Sequence, residues 1–140
     1  ELRQLVWVDR KGKEEPISAP LRAYVIPRIS PDGTRVALDI RDEENDIWIW
    51  DLVRHTMTRM TFDPAVDMLP VWTPDSRRIV FTSQRTGAQS LFVHAADGIL
   101  YHCSTGAQTC ALPIWPRATM PSKWYGVLLR FRSLEARSQC

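Results

Sequence analysis

Short apolar stretches separated by polar turns fill the first hundred residues, with no sustained helical period among them. Residues 35–40 and 78–83 are rich in Val, Ile, Phe and Thr and directly follow turn residues, the pattern of a short strand. Ile47-Trp48-Ile49-Trp50 is apolar at every position, which predicts a strand covered on both faces. Residues 56–61 read Thr, Met, Thr, Arg, Met, Thr, an alternation that predicts a strand open to water on one side.

The pattern recurs. Ile29-Ser30-Pro31-Asp32-Gly33-Thr34-Arg35-Val36-Ala37-Leu38 returns 43 residues later as Trp72-Thr73-Pro74-Asp75-Ser76-Arg77-Arg78-Ile79-Val80-Phe81. Val6-Trp7-Val8-Asp9 matches Trp48-Ile49-Trp50-Asp51 at an offset of 42, and Pro27 and Pro70 stand 43 apart. Independent features on one period predict a repeat architecture. One repeat carries four strands, at residues 25–30 (innermost), 35–40, 46–51 and 56–61 (outermost). The next has strands at 68–73, 78–83 and 91–94, while 5–9 and 14–18 read as the last two strands of an earlier repeat. Pro31 presets φ in the turn between the first two strands, Asp32 can bond its own backbone, and Gly33 accepts a positive φ. Ser76 replaces that glycine in the second copy, so that turn is expected to be strained or of another type. Four strands in about 43 residues make one blade of a propeller. The expected fold class is therefore all-β: a partial β-propeller of about two four-stranded antiparallel blades, its ring incomplete, plus an irregular tail.

Composition changes the picture at one place. The 140 residues are 44% apolar and 24% charged, as in an ordinary globular chain, and contain no apolar run of membrane-spanning length. Residues 1–98 carry 13 basic against 15 acidic side chains, whereas 99–140 carry five against one and hold all three cysteines. The weakly acidic body gives no reason to expect nucleic acid. Cys103, Cys110 and Cys140 are odd in number and lack paired zinc spacing, so neither a disulfide framework nor a metal site is expected. Thr105-Gly106-Ala107-Gln108-Thr109-Cys110-Ala111-Leu112-Pro113-Ile114 resembles a translated short-read sequencing adapter. Residues 99–140 are accordingly expected to be a non-family, artefactual and poorly ordered tail, and 1–98 the propeller portion.

Catalytic signatures are missing from the sequence. It has no phosphate-cradling glycine loop, no kinase motif set and no G-x-S-x-G elbow. No catalytic, cofactor or metal residues are expected. His55 and His94 read as surface or packing side chains, and residues 41–46 as a solvated turn without the EF-hand pattern. Trp48, Trp50 and Trp72 fall at repeating strand positions, which favours packing between blades over a ligand platform.

Several motifs in order carry a family resemblance: Ser30-Pro31-Asp32-Gly33, Asp46-Ile47-Trp48-Ile49-Trp50-Asp51-Leu52, Met60-Thr61-Phe62-Asp63-Pro64 and Pro70-Val71-Trp72-Thr73-Pro74-Asp75. Together they resemble the TolB-like, WD-repeat-like β-propellers, especially those that follow bacterial serine/threonine protein kinase domains. The resemblance implies a non-catalytic scaffold for protein–protein interaction or sensing within a larger signalling protein, any catalytic domain lying outside this chain. The alternative it leaves open is the substrate-gating propeller of a prolyl-oligopeptidase-like serine peptidase. Strand order brings residues 41–46, 62–67 and 83–89 to one face. The partner-binding candidates on it are Arg41, Asp42, Glu43, Glu44, Asp46, Asp63, Asp67 and Arg85. Acidic groups predominate among them, which suits a basic or polar protein surface. Bare blade faces predict that the isolated chain self-associates.

Overall fold

The computed structural model describes residues 1–43, 45–96, 100–102 and 128–133. Among them every regular element is a strand: β1 (Arg3–Val8), β2 (Glu14–Pro16), β3 (Tyr24–Ile29), β4 (Arg35–Arg41), β5 (Asn45–Asp51) and β6 (Thr56–Arg59) come first. They are followed by β7 (Asp67–Trp72), β8 (Arg78–Ser83), β9 (Ser90–Ala95), β10 (Leu100–His102) and β11 (Leu128–Ser133). The strands form three antiparallel sheets, ordered β11-β1-β2, β3-β4-β5-β6 and β7-β8-β9-β10. The all-β, open partial propeller expected from the repeat is the observed architecture.

Both copies of the repeated turn close alike. Gly33 N–H donates to the Ser30 carbonyl at 2.8 Å, and Ser76 N–H donates to the Thr73 carbonyl at 2.9 Å. Their φ angles are 72° and 59°, so Ser76 takes the left-handed conformation that glycine takes without steric cost. The turn type is unchanged, and the serine brings a contact in exchange: its hydroxyl accepts the Asp32 N–H at 3.0 Å, joining the two sheets. Trp72 reinforces that joint by donating its indole N–H to the Arg28 carbonyl at 2.8 Å, with the Arg35 guanidinium stacked 4.9 Å above its ring.

The two inner strands, β3 and β7, are sheet edges. Each has a register shift, between Tyr24 and Ile26 and between Met68 and Val71. Pro27 and Pro70 each remove one N–H from these edges. Bulge and proline together blunt an edge that would otherwise pair with another chain.

Alternate faces of β4 and β5 serve two cores. Val36, Leu38, Ile40 and Trp50 pack with Tyr24 and with Leu5, Ile17 and Ala19 of the first sheet's segment. Ala37, Ile47, Ile49 and Met60 pack with Trp72, Ile79, Phe81 and Phe92 of the third sheet. Trp50 and Trp72 are therefore buried between sheets, whereas Trp48 is half-buried beneath the Arg22 guanidinium, 4.4 Å from its ring centre. The outermost strand stops at Arg59, two residues short of expectation. Met60 still donates to the Ile47 carbonyl, but the Ile47 N–H is taken by the Thr61 hydroxyl at 3.0 Å. β10 pairs with β9 as the fourth strand of its sheet, and β11 pairs with β1. Gly98, the adapter-like residues 105–114 and the three cysteines lie outside the described residues.

Candidate functional site

Three connections meet at one end of the second and third sheets: the β4–β5 turn, the β6–β7 segment and the β8–β9 loop. Beside the β6–β7 segment lies a cleft of about 560 Å³ whose walls include Arg59, Thr61, Phe62 and Asp63 together with Arg85 and His94, and no residue of the β4–β5 turn. Buried carboxylates stand near it where the strands run into the loops.

Asp46, at the start of β5, is 1% exposed. Arg59 on β6 approaches it to 2.6 Å, and the Thr61 hydroxyl donates to it at 2.8 Å. Asp67, at the start of β7, is fully buried and accepts from Arg85 at 2.7 Å. The Arg85 guanidinium also bonds the Ser83 hydroxyl and lies 4.6 Å over the Phe92 ring. Asp39 on β4, also fully buried, accepts from Arg41 at 2.6 Å and from the Leu69 N–H at 3.2 Å, which fastens β4 to β7. Asp42 accepts from Arg22 at 2.7 Å. A buried carboxylate is tolerated only with such partners, and removing one partner leaves an uncompensated charge. Burial pushes the Asp46 carboxyl above its ordinary value; Thr61 and Arg59 oppose that shift, and the nearby Asp67 charge adds to it. Tyr24, behind the Arg22–Asp42 pair, is pushed up to about 12, chiefly by burial.

One position of the repeat carries opposite charges in the two sheets, each paired with a different element. Asp42 and Arg85 stand 43 residues apart at equivalent positions. In the third sheet the acid comes from the inner strand and the base from the β8–β9 loop. In the second sheet Arg22, just before the inner strand, supplies the base and Asp42 the acid.

The predicted face is thus only partly a surface. Glu43 is exposed, Arg41 and Asp42 are half-buried, and Asp63 is half-buried with its carboxylate accepting the Ala65 N–H at 2.9 Å. Asp46 and Asp67 lie behind Arg59 and Arg85, and the Arg85 side chain is 14% exposed. Glu44 lies outside the described residues. Sequence reasoning missed Asp39, Arg22 and Arg59. A signal for Asp39 was present: it is the single acid inside Val36-Ala37-Leu38-Asp39-Ile40, and a charge in so apolar a strand needs a partner. A second cleft, of about 610 Å³, opens at the other loop end beside Trp7, Asp32, Trp50 and His55. There the exposed Ser18 hydroxyl and His55 Nδ1 are 3.0 Å apart. Among the described residues no group of three or more His, Cys, Asp or Glu side chains is placed to hold a metal ion.

The sequence profile of the TolB beta propeller domain matches residues 7–116. The chain belongs to that family. The match continues past the change in composition near Gly98. The Tol-Pal system protein TolB of Helicobacter pylori is 24% identical over 99 residues, 66% of this chain and 24% of its own length. That of Wolinella succinogenes is 28% identical over 88 residues, 62% of this chain and 21% of its own length. The crystal structure of TolB from Acinetobacter baumannii aligns with a TM-score of 0.59 at 25% identity, covering 69% of this chain and 25% of that one. The chain thus spans about a quarter of the length of these relatives. TolB-like propellers are non-catalytic modules of the protein-interaction type.

Proposed function

We propose that this chain is part of a propeller scaffold that binds a basic or polar protein surface through the end formed by residues 41–46, 62–67 and 83–89. The observation that supports this most is the set of buried pairs Asp46–Arg59 and Asp67–Arg85, which hold the roots of these loops in fixed positions. Loops held on a rigid frame can present a binding surface without an ordering cost. Glu43 and Asp63 are the acids that a partner meets there, with Asp42 shared with Arg22. A photo-crosslinking residue placed at Glu43 or Thr86 in the intact parent protein should trap a protein partner in cells. The same residue at Val53, at the other loop end, should not. Equal trapping from both ends would overturn the assignment of the face.

The family resemblance supports a setting beside a serine/threonine kinase domain in a larger bacterial signalling protein. Sequencing the gene on both sides of this region tests that setting directly. An upstream kinase is the expected result, and a downstream G-x-S-x-G hydrolase would replace it with the peptidase alternative.

A further inference from the structure

Two guanidiniums line the cleft beside the β6–β7 segment, and both are already committed: Arg59 to Asp46 at 2.6 Å and Arg85 to Asp67 at 2.7 Å. Asp63, on the same cleft, is different. Its Oδ1 accepts the Ala65 N–H at 2.9 Å. Among the described residues its Oδ2 meets no donor, and no cation stands within ion-pair distance of it. The carboxylates around the cleft thus outnumber the guanidiniums, and the Asp63 charge is the one left unbalanced.

His94 supplies a second acceptor. Its Nδ1 lies 2.7 Å from the Ala95 carbonyl, which can only accept, so in the neutral ring Nδ1 carries the proton and Nε2 the lone pair. No group among the described residues donates to Nε2. Beside these acceptors the wall is apolar at Met60, Phe62, Pro64 and Ala96. Phe62 is 71% exposed, with the Arg59 guanidinium 5.0 Å from its ring centre. An aromatic surface left to water next to two unfilled acceptors defines the shape of a ligand: an apolar stem that ends in a donor-rich, positively charged head.

We propose that this cleft takes a lysine side chain of the protein partner, its ammonium donating to Asp63 Oδ2 and His94 Nε2 and its methylene stem lying along Phe62. The inference rests on the reading of this end of the blades as a protein-binding end, and names the partner group that enters it. Lysine suits the two acceptors better than arginine does. A guanidinium offers paired, coplanar donors matched to both oxygens of one carboxylate, whereas Asp63 has already given one oxygen to Ala65. An ammonium directs three separate donors from a single atom and can serve a carboxylate oxygen and a ring nitrogen together.

Nα-acetyl-lysine methylamide is the probe, titrated against the full 140-residue chain and followed by saturation-transfer NMR at the lysine ε-methylene. Saturable binding in about the millimolar range is expected. The norleucine analogue keeps the stem and lacks the ammonium, and should bind at least about five-fold more weakly; the arginine analogue should also fall behind lysine. Asp63→Asn keeps an acceptor for the Ala65 N–H and removes the charge, and should weaken the lysine probe by a similar factor. Phe62→Leu alters a mostly exposed side chain and should weaken the lysine and norleucine probes alike. Norleucine binding as well as lysine, or lysine binding that ignores Asp63→Asn, would overturn the proposal. Much tighter binding of 1,4-diaminobutane would overturn it too, by assigning the cleft to a free amine. Crosslinking tests the underlying reading separately. Trapping from Glu43 and Thr86 beside a lysine probe indifferent to Asp63 keeps the face and removes the lysine site. Asp63-dependent lysine binding without trapping keeps the lysine site and overturns the loop-end assignment.

Discussion

Single carboxylates do most of the local fixing in this chain. Asp75 accepts the Thr73 hydroxyl at 2.5 Å and the Arg77 N–H at 3.0 Å, and those bonds, the hydroxyl first, hold its carboxyl below the usual range. At Asp32 burial pushes upward, but bonds from Ser30 and Thr34 outweigh it, and the result is again a lowered value. A folded-state value below the unfolded one contributes stability that is present above about pH 4 and lost as pH falls through the folded value. Asp75→Asn keeps an acceptor and loses the charge. Urea titration at neutral pH should show a loss of about 0.5–1 kcal/mol, small because the side chain is half exposed to solvent. That gap should close in acid, and one that persisted there would show that the charge contributes nothing.

Strands β5 and β7 carry the sharpest energetic contrasts among the elements. Trp50 is 3% exposed and its indole N–H meets no protein acceptor among the described residues. Trp50→Ala should cost about 3–5 kcal/mol through the cavity left between the sheets. Trp50→Phe should cost much less, since it keeps most of the ring and loses no protein hydrogen bond. Thermal denaturation of both variants separates packing from polarity. In β7 the bulge places Leu69 at φ 56° with its side chain largely exposed, so the leucine bears left-handed strain without much burial to offset it. Leu69→Gly should raise stability by about 0.5–1 kcal/mol, and a fall in melting temperature would mean that the Leu69 side chain packs more than its exposure implies.

At the scale of the molecule, the sheets lean on one another in series, each burying a face of the next, as in other repeat architectures. Large apolar side chains left exposed include Val25, Leu69 and Val71 on the inner strands and Leu91 on β9. The 140-residue chain should therefore associate, with light scattering that rises with concentration. Val71→Lys combined with Leu91→Lys should reduce that rise without changing the far-ultraviolet dichroism. Association unaffected by these changes would place the contact elsewhere.

The period, the order of strands in each blade and the turns between them can be read along the chain, because φ preferences and alternation act within a few residues. The sequence could not show that Asp46 and Asp67 turn inward to Arg59 and Arg85, since nothing local distinguishes a loop acid facing water from one facing a guanidinium on another strand. Ser76 makes the same point in one residue. Its turn was legible, but its bond to Asp32 arises only when two sheets meet. The pairing of β11 with β1 was beyond local reading altogether: it joins segments more than a hundred residues apart, and nothing within a few residues of either strand specifies it.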